Sequence, residues 1–415
     1  HGGLTNFSGL RRRAMTEALS TAMQRHESVA VIAVDLDHFK EANDAEGHAA
    51  GDALLRVAGE RLRANIRAGD IVGRVGGDEF VAFLLGVASE SDAMAAAQRM
   101  CQALHQPVAH QGRMLRLGAT FGVALAPMDA KQPETLLRAA DEALIRAKRK
   151  GRGTIGRATL EDTARVLRDA AILRALKTVN DAPLPGLVAH LQPIVSLADG
   201  SIRGLEALAR WHCAELGQVP PDEFFAVAQR AGLAAQISSQ VRAQAMASHA
   251  ALRRDGLRVG RLALNLSAAE LLRAGVVESL EEQCASIGLD LDGMTIEITE
   301  DALLDRVAHT TLHRLSALRG RGAHLSLDDF GTGSSGLAQL LRLPLDEIKL
   351  DRSFTRRLGQ DGRAERIIEG TIRLAHSMGL AVVAEGIEDA AQARLLQNLG
   401  CEMGQGWLYA PAMAA

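Results

Sequence analysis

IVGRVGGDEFVAFLL, residues 71–85, carries two runs of β-branched and apolar residues on either side of a paired glycine, Gly76-Gly77. Paired glycines between such runs mark a β-hairpin. The acids that follow them directly, Asp78 and Glu79, therefore sit at its turn. Upstream, residues 28–35 form a short apolar, β-branched run that ends on acids, and residues 114–126 supply further strand-like sequence. Helical stretches lie between, at 51–66, 91–104 and 133–150. Hairpins mixed with helices predict an α/β domain over residues 1–157 with a palm-like, mostly antiparallel sheet.

Residues 159–179 place Leu160, Ala164, Leu167, Ala171 and Ala175 close to helical spacing, and NDAPLPG at 180–186 breaks the pattern. A connecting helix and linker are expected over 158–186. Strand candidates then recur at 187–195, 202–211, 261–267, 294–300, 324–330, 347–351, 381–387 and 403–409, with helix-like stretches between most of them. This alternation predicts a (β/α)8 TIM-type barrel over residues 187–415. Polar residues interrupt the apolar strands mainly near their C-terminal ends: Asn265, Glu297, Asp328, Asp329, Lys349, Asp351 and Glu385. A barrel gathers those ends on one face, where its active site lies.

Composition narrows the partners. Of 415 residues, 47 are basic and 50 acidic, a net charge of −3, which argues against a nucleic-acid polymer. Aromatics are 3%, too few for base-stacking platforms. No apolar run approaches the roughly 18 residues of a membrane span, and no secretory leader stands at the start. Cys101, Cys213, Cys284 and Cys401 are far apart and none has CxxC spacing. They are expected to be buried thiols in a reducing cytoplasm rather than disulfide or zinc partners.

If the strand at 28–35 neighbours the hairpin, Asp35 and Asp78 converge. Gathered carboxylates are hard ligands for Mg²⁺, which takes substrate phosphates as well. Lys40 and the loop amides of His38 and Phe39 are placed to hold such phosphates. On acids at strand ends alone, a solvated turn explains them as well. DLDHFKEANDAEGHAAGDALL (35–55), GGDEF (76–80) and ADEALIRAKRKGRG (140–153), in that order, resemble the GGDEF family of diguanylate cyclases over almost all of residues 1–157. The resemblance implies condensation of GTP to cyclic di-GMP. Asp35, the Leu36 carbonyl and Asp78 would ligate the metal, with Glu79 a further ligand or activating acid. Asn43 and Asp52 would read the guanine edge, and Lys148 and Arg152 would grip the β- and γ-phosphates. The attacking ribose hydroxyl belongs to a second GTP, so two domains must meet and a homodimer is expected. Arg67 and Asp70 match the family's inhibitory product site. The start departs from the family: HGGLT (1–5) stands for the usual Asp-x-Leu-Thr, and NFSGLR (6–11) for GLPNRR.

GLEALARW (204–211) carries an intact Glu-Ala-Leu. With QPIV (192–195), NLS (265–267), EITE (297–300), DDFGTG (328–333), IKLD (348–351), AEGIE (384–388) and Gln405-Gly406, it resembles the EAL-domain cyclic di-GMP phosphodiesterases over 187–411. Glu206, Asn265, Glu297 and Asp328 are oxygen donors suited to Mg²⁺ or Mn²⁺, and Asp329 to a second ion. The resemblance implies that Asp351 and Glu385 complete the metal and water-activating shell. Lys349 would orient water or phosphate, and Gln192, Arg210 and Gln405 would contact the dinucleotide. Glu300 would anchor the loop after Asp328-Asp329, and the product would be pGpG. SSGL (334–337) replaces the family's aromatic followed by Ser-Ser-Leu.

The combined reading is a cytoplasmic enzyme of cyclic di-GMP turnover with Mg²⁺ or Mn²⁺ in both domains. GTP and cyclic di-GMP are its ligands. An upstream sensor is expected in the full-length protein, which membrane attachment would also suit. Two alternatives stand beside it: a phosphodiesterase whose first domain only binds GTP, and a non-enzymatic cyclic di-GMP receptor.

Overall fold

The computed structural model describes residues 19, 21–22, 28–180, 182–299, 308–331, 342–359 and 362–414. The expectations placed on residues 1–11, Asp181, Glu300 and residues 332–337 lie outside this set. The chain divides into two compact units, His1–Ala170 and Ala171–Ala415.

In the first unit the elements run β1 (Val29–Asp37), α1 (Phe39–Glu46), α2 (His48–Ala64), β2 (Ile71–Gly76), β3 (Glu79–Leu85), α3 (Glu90–Leu104), β4 (Val108–His110), β5 (Arg113–Leu115), β6 (Gly118–Ala126), α4 (Pro133–Lys150) and β7 (Ile155–Arg157), and α5 (Leu160–Leu176) begins in it and ends in the second. The main sheet is five-stranded, in the order β2-β3-β1-β6-β7, antiparallel except for the β6–β7 edge. All of β1 is buried, because helices cover both faces. Ala30, Ile32, Val34 and Leu36 join a core built with Leu54, Ala58 and Leu62 of α2 and Ala97 and Met100 of α3. The alternate residues Val29, Val31 and Ala33 meet Leu136, Ala140 and Leu144 of α4. The period of two in a strand thus puts Asp35 and Asp37 on the α4 face. Helix α4 lies hard against the sheet: a methyl group on Gly122 would stand 2.0 Å from the Ala140 carbonyl, and one on Gly156 2.4 Å from that of Ala143.

The strand expected over 114–126 is two strands. Arg113–Leu115 turns back through Gln111 and Gly112, both at positive φ, to pair with β4 in a separate ribbon, and only Gly118–Ala126 joins the main sheet. The helix α1 was not expected; it begins after His38, which adopts a left-handed φ of 57°.

The second unit runs β8 (Leu187–Ser196), β9 (Ile202–Cys213), β10 (Gly217–Val219), α6 (Pro221–Ala231), α7 (Ala234–Arg254), β11 (Arg261–Asn265), α8 (Ala268–Leu271), α9 (Val276–Ala285), β12 (Met294–Thr299), α10 (Ala308–Gly320), β13 (His324–Phe330), β14 (Glu347–Leu350), α11 (Arg352–Thr355), α12 (Gly362–Ser377), β15 (Ala381–Ala384), α13 (Ala390–Asn398), β16 (Met403–Gly404) and β17 (Met413–Ala414). The order β9-β11-β12-β13-β14-β15-β16-β8 closes through β8–β9 into an eight-stranded barrel of TIM type. One strand departs from the (β/α)8 pattern: β8 runs antiparallel to both its neighbours. Residues 197–201 join it to β9, and a parallel crossover needs a dozen or more residues.

Alternation sorts the barrel residues. Leu262, Leu264, Ile296, Ile298, Leu325, Leu327, Ile348 and Leu350 belong to the large core outside the barrel. Ala263 and Val383 meet Ile194 inside it. Asn265, Glu297, Asp328 and Lys349 share the inward register and lie toward the strands' C-terminal ends. Strands β15 and β16 are shorter than expected, because Gly386 and Gly406 turn the chain out of the wall. The ladder gives way there to loop hydrogen bonds from Ile387 N to the Gln405 carbonyl and from Leu408 N to the Ile387 carbonyl.

Candidate functional site

In the second unit, inward register brings four carboxylates onto one ammonium. Lys349 Nζ lies 2.7 Å from Glu385 Oε1, 2.9 Å from Glu297 Oε1, 3.2 Å from Glu206 Oε2 and 3.4 Å from Asp328 Oδ1. Lys349 is fully buried. Burial works against its charge, but Asp328, Glu206, Glu297 and Glu385 outweigh it and hold its pKa well above the ordinary lysine value. The pKa values of two of the acids rise as well, which favours their neutral forms. Burial, then the neighbouring Glu206 charge, push Glu297 well above the carboxylate range. Glu385 is pushed up to about 8, chiefly by burial.

Asp328, Asp329 and Glu385 have carboxylate oxygens that all lie within 4.8 Å of one another, the one such group among the described residues. Glu206 and Glu297 meet this group through Lys349. Asn265 Nδ2 donates to Glu297 Oε2 at 3.2 Å, and Gln405 Nε2 donates to Glu206 Oε2. Asp329 sits at a left-handed φ of 55°, its amide donating to Asp328 Oδ1. Burial raises its pKa, and the charges on Asp328 and Asp351 add to the effect. Asp351 caps α11 through the Ser353 amide.

This donor set fits a divalent cation. It is all oxygen, and one internal ammonium faces more carboxylate charge than it balances, which adds to burial in driving Glu297 and Glu385 toward their protonated forms. Beside the acids, a cavity of 270 Å³ is lined by Gln192, Arg210, Arg352, Glu385, Gln405 and Trp407, among others. Gln192 and Gln405 are buried; Gln192 donates to the Ala410 carbonyl. Arg352 and Trp407 escaped the sequence reading. Trp407 directly follows Gln405-Gly406 and is 73% exposed, an unusual surface residue that the spacing alone did not single out.

In the first unit the strand register sets Asp35 opposite Glu79, beside the hairpin that carries Asp78. Asp35 Oδ2 pairs with Lys148 Nζ at 2.7 Å. Burial raises the Asp35 pKa against this partner, and the charges on Asp78 and Asp37 add to the rise. Asp78 is half-buried, and Glu79, His38, Lys40 and Asp52 are exposed. Leu36 N donates to the Asp78 carbonyl, which ties the hairpin turn to β1. Arg152 Nη1 stands 3.2 Å from His38 Nε2, and Asn43 Nδ2 3.0 Å from His48 Nδ1. Buried and clustered acids beside two cations suit a metal with phosphate ligands. Asp70 closes the turn before β2: its oxygens accept from Arg67 N and Leu85 N.

Asp37 was also passed over. It is buried; Oδ1 accepts from Thr120 Oγ1 at 2.8 Å and Oδ2 from Gly153 N at 3.0 Å, which anchors the segment that carries Arg152. Its position two residues after Asp35, on the same strand face, was the available signal.

Residues 169–412 match the family model for the EAL domain, and residues 3–154 that for the diguanylate cyclase, GGDEF domain. The chain belongs to the EAL-domain family and carries a GGDEF domain ahead of its EAL domain. It is 36% identical over 410 residues to cyclic di-GMP phosphodiesterase NbdA of Pseudomonas aeruginosa, covering 97% of this chain and 52% of that protein. It is 35% identical over 401 residues to bifunctional diguanylate cyclase/cyclic di-GMP phosphodiesterase MucR of the same organism, covering 97% of this chain and 58% of that protein. The chain thus spans little more than half the length of these curated relatives. A solved structure of PaMucR phosphodiesterase in complex with c-di-GMP is 34% identical, with a TM-score of 0.55, covering 59% of this chain and 98% of that one.

Proposed function

We propose that the chain turns over cyclic di-GMP, the second unit hydrolysing it to pGpG and the first making it from two GTP. The observation that carries the reading is Lys349, buried among Glu206, Glu297, Asp328 and Glu385 beside the cavity that holds Arg210. The names of NbdA and MucR point the same way.

In the second unit, Glu206, Asn265, Glu297, Asp328, Asp329, Asp351 and Glu385 would hold Mg²⁺ or Mn²⁺. The bound metal neutralises phosphate charge and makes water a better nucleophile. Gln192, Arg210 and Gln405 hold the dinucleotide. Glu385, as the carboxylate, takes the proton of the attacking water. Lys349 keeps the attacked phosphate and the water in register.

In the first unit, Asp35, the Leu36 carbonyl, Asp78 and Glu79 would hold the metal. Lys40, Lys148, Arg152 and the amides of His38 and Phe39 hold the triphosphate, while Asn43 and Asp52 read guanine. Phosphoryl transfer needs mainly positioning and charge neutralisation, which these groups supply. The nucleophile comes from a second GTP, so two copies meet in a homodimer, and Arg67 with Asp70 binds product. The reactions belong in the cytoplasm, under a sensor elsewhere in the longer protein.

The test is nucleotide chromatography after incubating the purified protein with GTP and Mg²⁺, and separately with cyclic di-GMP. The expected product of both is pGpG, and Glu206→Ala should make cyclic di-GMP accumulate from GTP. Product from cyclic di-GMP alone would reduce the first unit to a GTP-binding regulator. No turnover in either would overturn the reading in favour of a receptor.

A further inference from the structure

The chain just after β13, which ends in Asp328-Asp329-Phe330, and the chain just after β15, which begins at Glu385, both rest on the short helix α11. On one side, Gly331 has φ of 95°, and a methyl group there would stand 2.7 Å from Cε2 and Cζ of Phe354. On the other, Gly386 has φ of 68°, and a methyl group there would stand 2.6 Å from Cβ of Arg352. Neither contact leaves room for a side chain. Asp351 caps the helix between them, its Oδ1 accepting from Ser353 N at 2.9 Å.

The sheet holds these acids only in part: Asp328 pairs with Thr299 across β12–β13, and Glu385 N donates to the Leu350 carbonyl at 3.0 Å. The β13–β14 register shifts between Leu327 and Phe330, so the ladder is irregular at Asp328-Asp329. The β15 strand ends at Ala384, one residue before Glu385. Asp329 is left-handed, a conformation that non-glycine residues keep only where the surroundings over-determine it. Packing of Gly331 against Phe354 of α11 supplies one such constraint.

We propose that Phe354 and Arg352 are positioning residues, with α11 acting as a wedge that sets Asp328-Asp329 against Glu385 and thereby the site's affinity for a divalent cation. The inference rests on the metal-binding reading above, but the wedge itself can be judged without a metal.

The experiment compares Phe354→Ala, Phe354→Leu, Gly331→Ala and Gly386→Ala in the whole chain. Backbone hydrogen exchange is followed in the metal-free protein, and Mn²⁺ binding by calorimetry. Phe354→Ala should speed exchange at residues 328–331 while leaving β12 protected, and should weaken Mn²⁺ binding by about tenfold, as loss of a ligand-orienting contact does. Phe354→Leu should restore most of both, and Gly386→Ala should move exchange at 385–388. Unchanged exchange at 328–331 and unchanged Mn²⁺ affinity in folded Phe354→Ala would overturn the proposal. If that variant does not fold, Gly331→Ala decides by the same two readings. Altered exchange in a protein whose wild type binds no Mn²⁺ would uphold the wedge and sink the metal-binding reading instead.

Discussion

Lys349, on β14, and Glu385, the residue that follows β15, form an ion pair of 2.7 Å in the barrel. Lys349 lies opposite Val383 in the β14–β15 ladder, and Glu385 follows two residues later on the same inward face. The pair is one edge of a cluster in which a single ammonium also touches Glu206, Glu297 and Asp328. Lys349 is therefore a structural counter-charge as well as a candidate for orienting the reaction.

Lys349→Met should destabilise the metal-free second unit by about 3–5 kcal/mol, because it leaves buried carboxylates without their cation. Mn²⁺ should recover part of the loss. Urea unfolding in chelator and in Mn²⁺ checks this; equal destabilisation in both would show that the cation and Lys349 do not share the same acids.

Asp37→Ala should cost about 1–3 kcal/mol by leaving the Thr120 hydroxyl without its acceptor and the Gly153 amide with only Thr120 Oγ1. It also frees the segment that bears Arg152. GTP binding should weaken while Glu206-dependent hydrolysis of cyclic di-GMP is unaffected, a split measurable by calorimetry with GTP and by pGpG release.

Gly122→Ala should destabilise the first unit by about 3 kcal/mol, at the upper end of overpacking costs. The added methyl meets backbone, the Ala140 carbonyl at 2.0 Å and Leu144 N at 2.5 Å, which cannot swing aside. Gly370→Ala, on an open face of α12, should instead stabilise by about 0.5–1 kcal/mol. Thermal unfolding of the two variants should move in opposite directions.

His249 makes the stability of the second unit fall with acid. It is fully buried, its Nε2 donates to the Gly260 carbonyl at 3.0 Å, and burial holds its pKa below the ordinary histidine value. The unfolded chain therefore binds the proton first. The contribution is complete above about pH 6.5 and is lost below it, by up to about 1.4 kcal/mol per pH unit until the folded pKa is reached. Urea midpoints between pH 7 and 5 should slope less in His249→Gln; an identical slope would mean that other groups govern the acid limb.

Much of this was legible along the chain. The hairpin at 71–85, the apolar run of β1 and the helix of residues 133–150 are features of local sequence, and the structure has them at those places. All eight barrel strands were visible as apolar runs, and the acids at their ends stood out because a buried strand has no other use for charge. Direction was less visible. A strand's sequence does not state whether its neighbour runs with or against it, and β8 was settled by the length of the turn after it.

The residues alone determined most of the segments that become strands and helices, though not α1 or the break within 114–126, and that carboxylates cluster at one end of the second unit, because these depend largely on neighbours within a few positions. Tertiary structure decided how those charges are shared. Lys349 at the centre of four acids, Asp37 holding Gly153 116 positions away, and Phe354 against Gly331 are contacts across register and packing. Side-chain period fixes only the face on which a residue lies. The partner it meets there depends on which strands the closed barrel and the twisted sheet bring together.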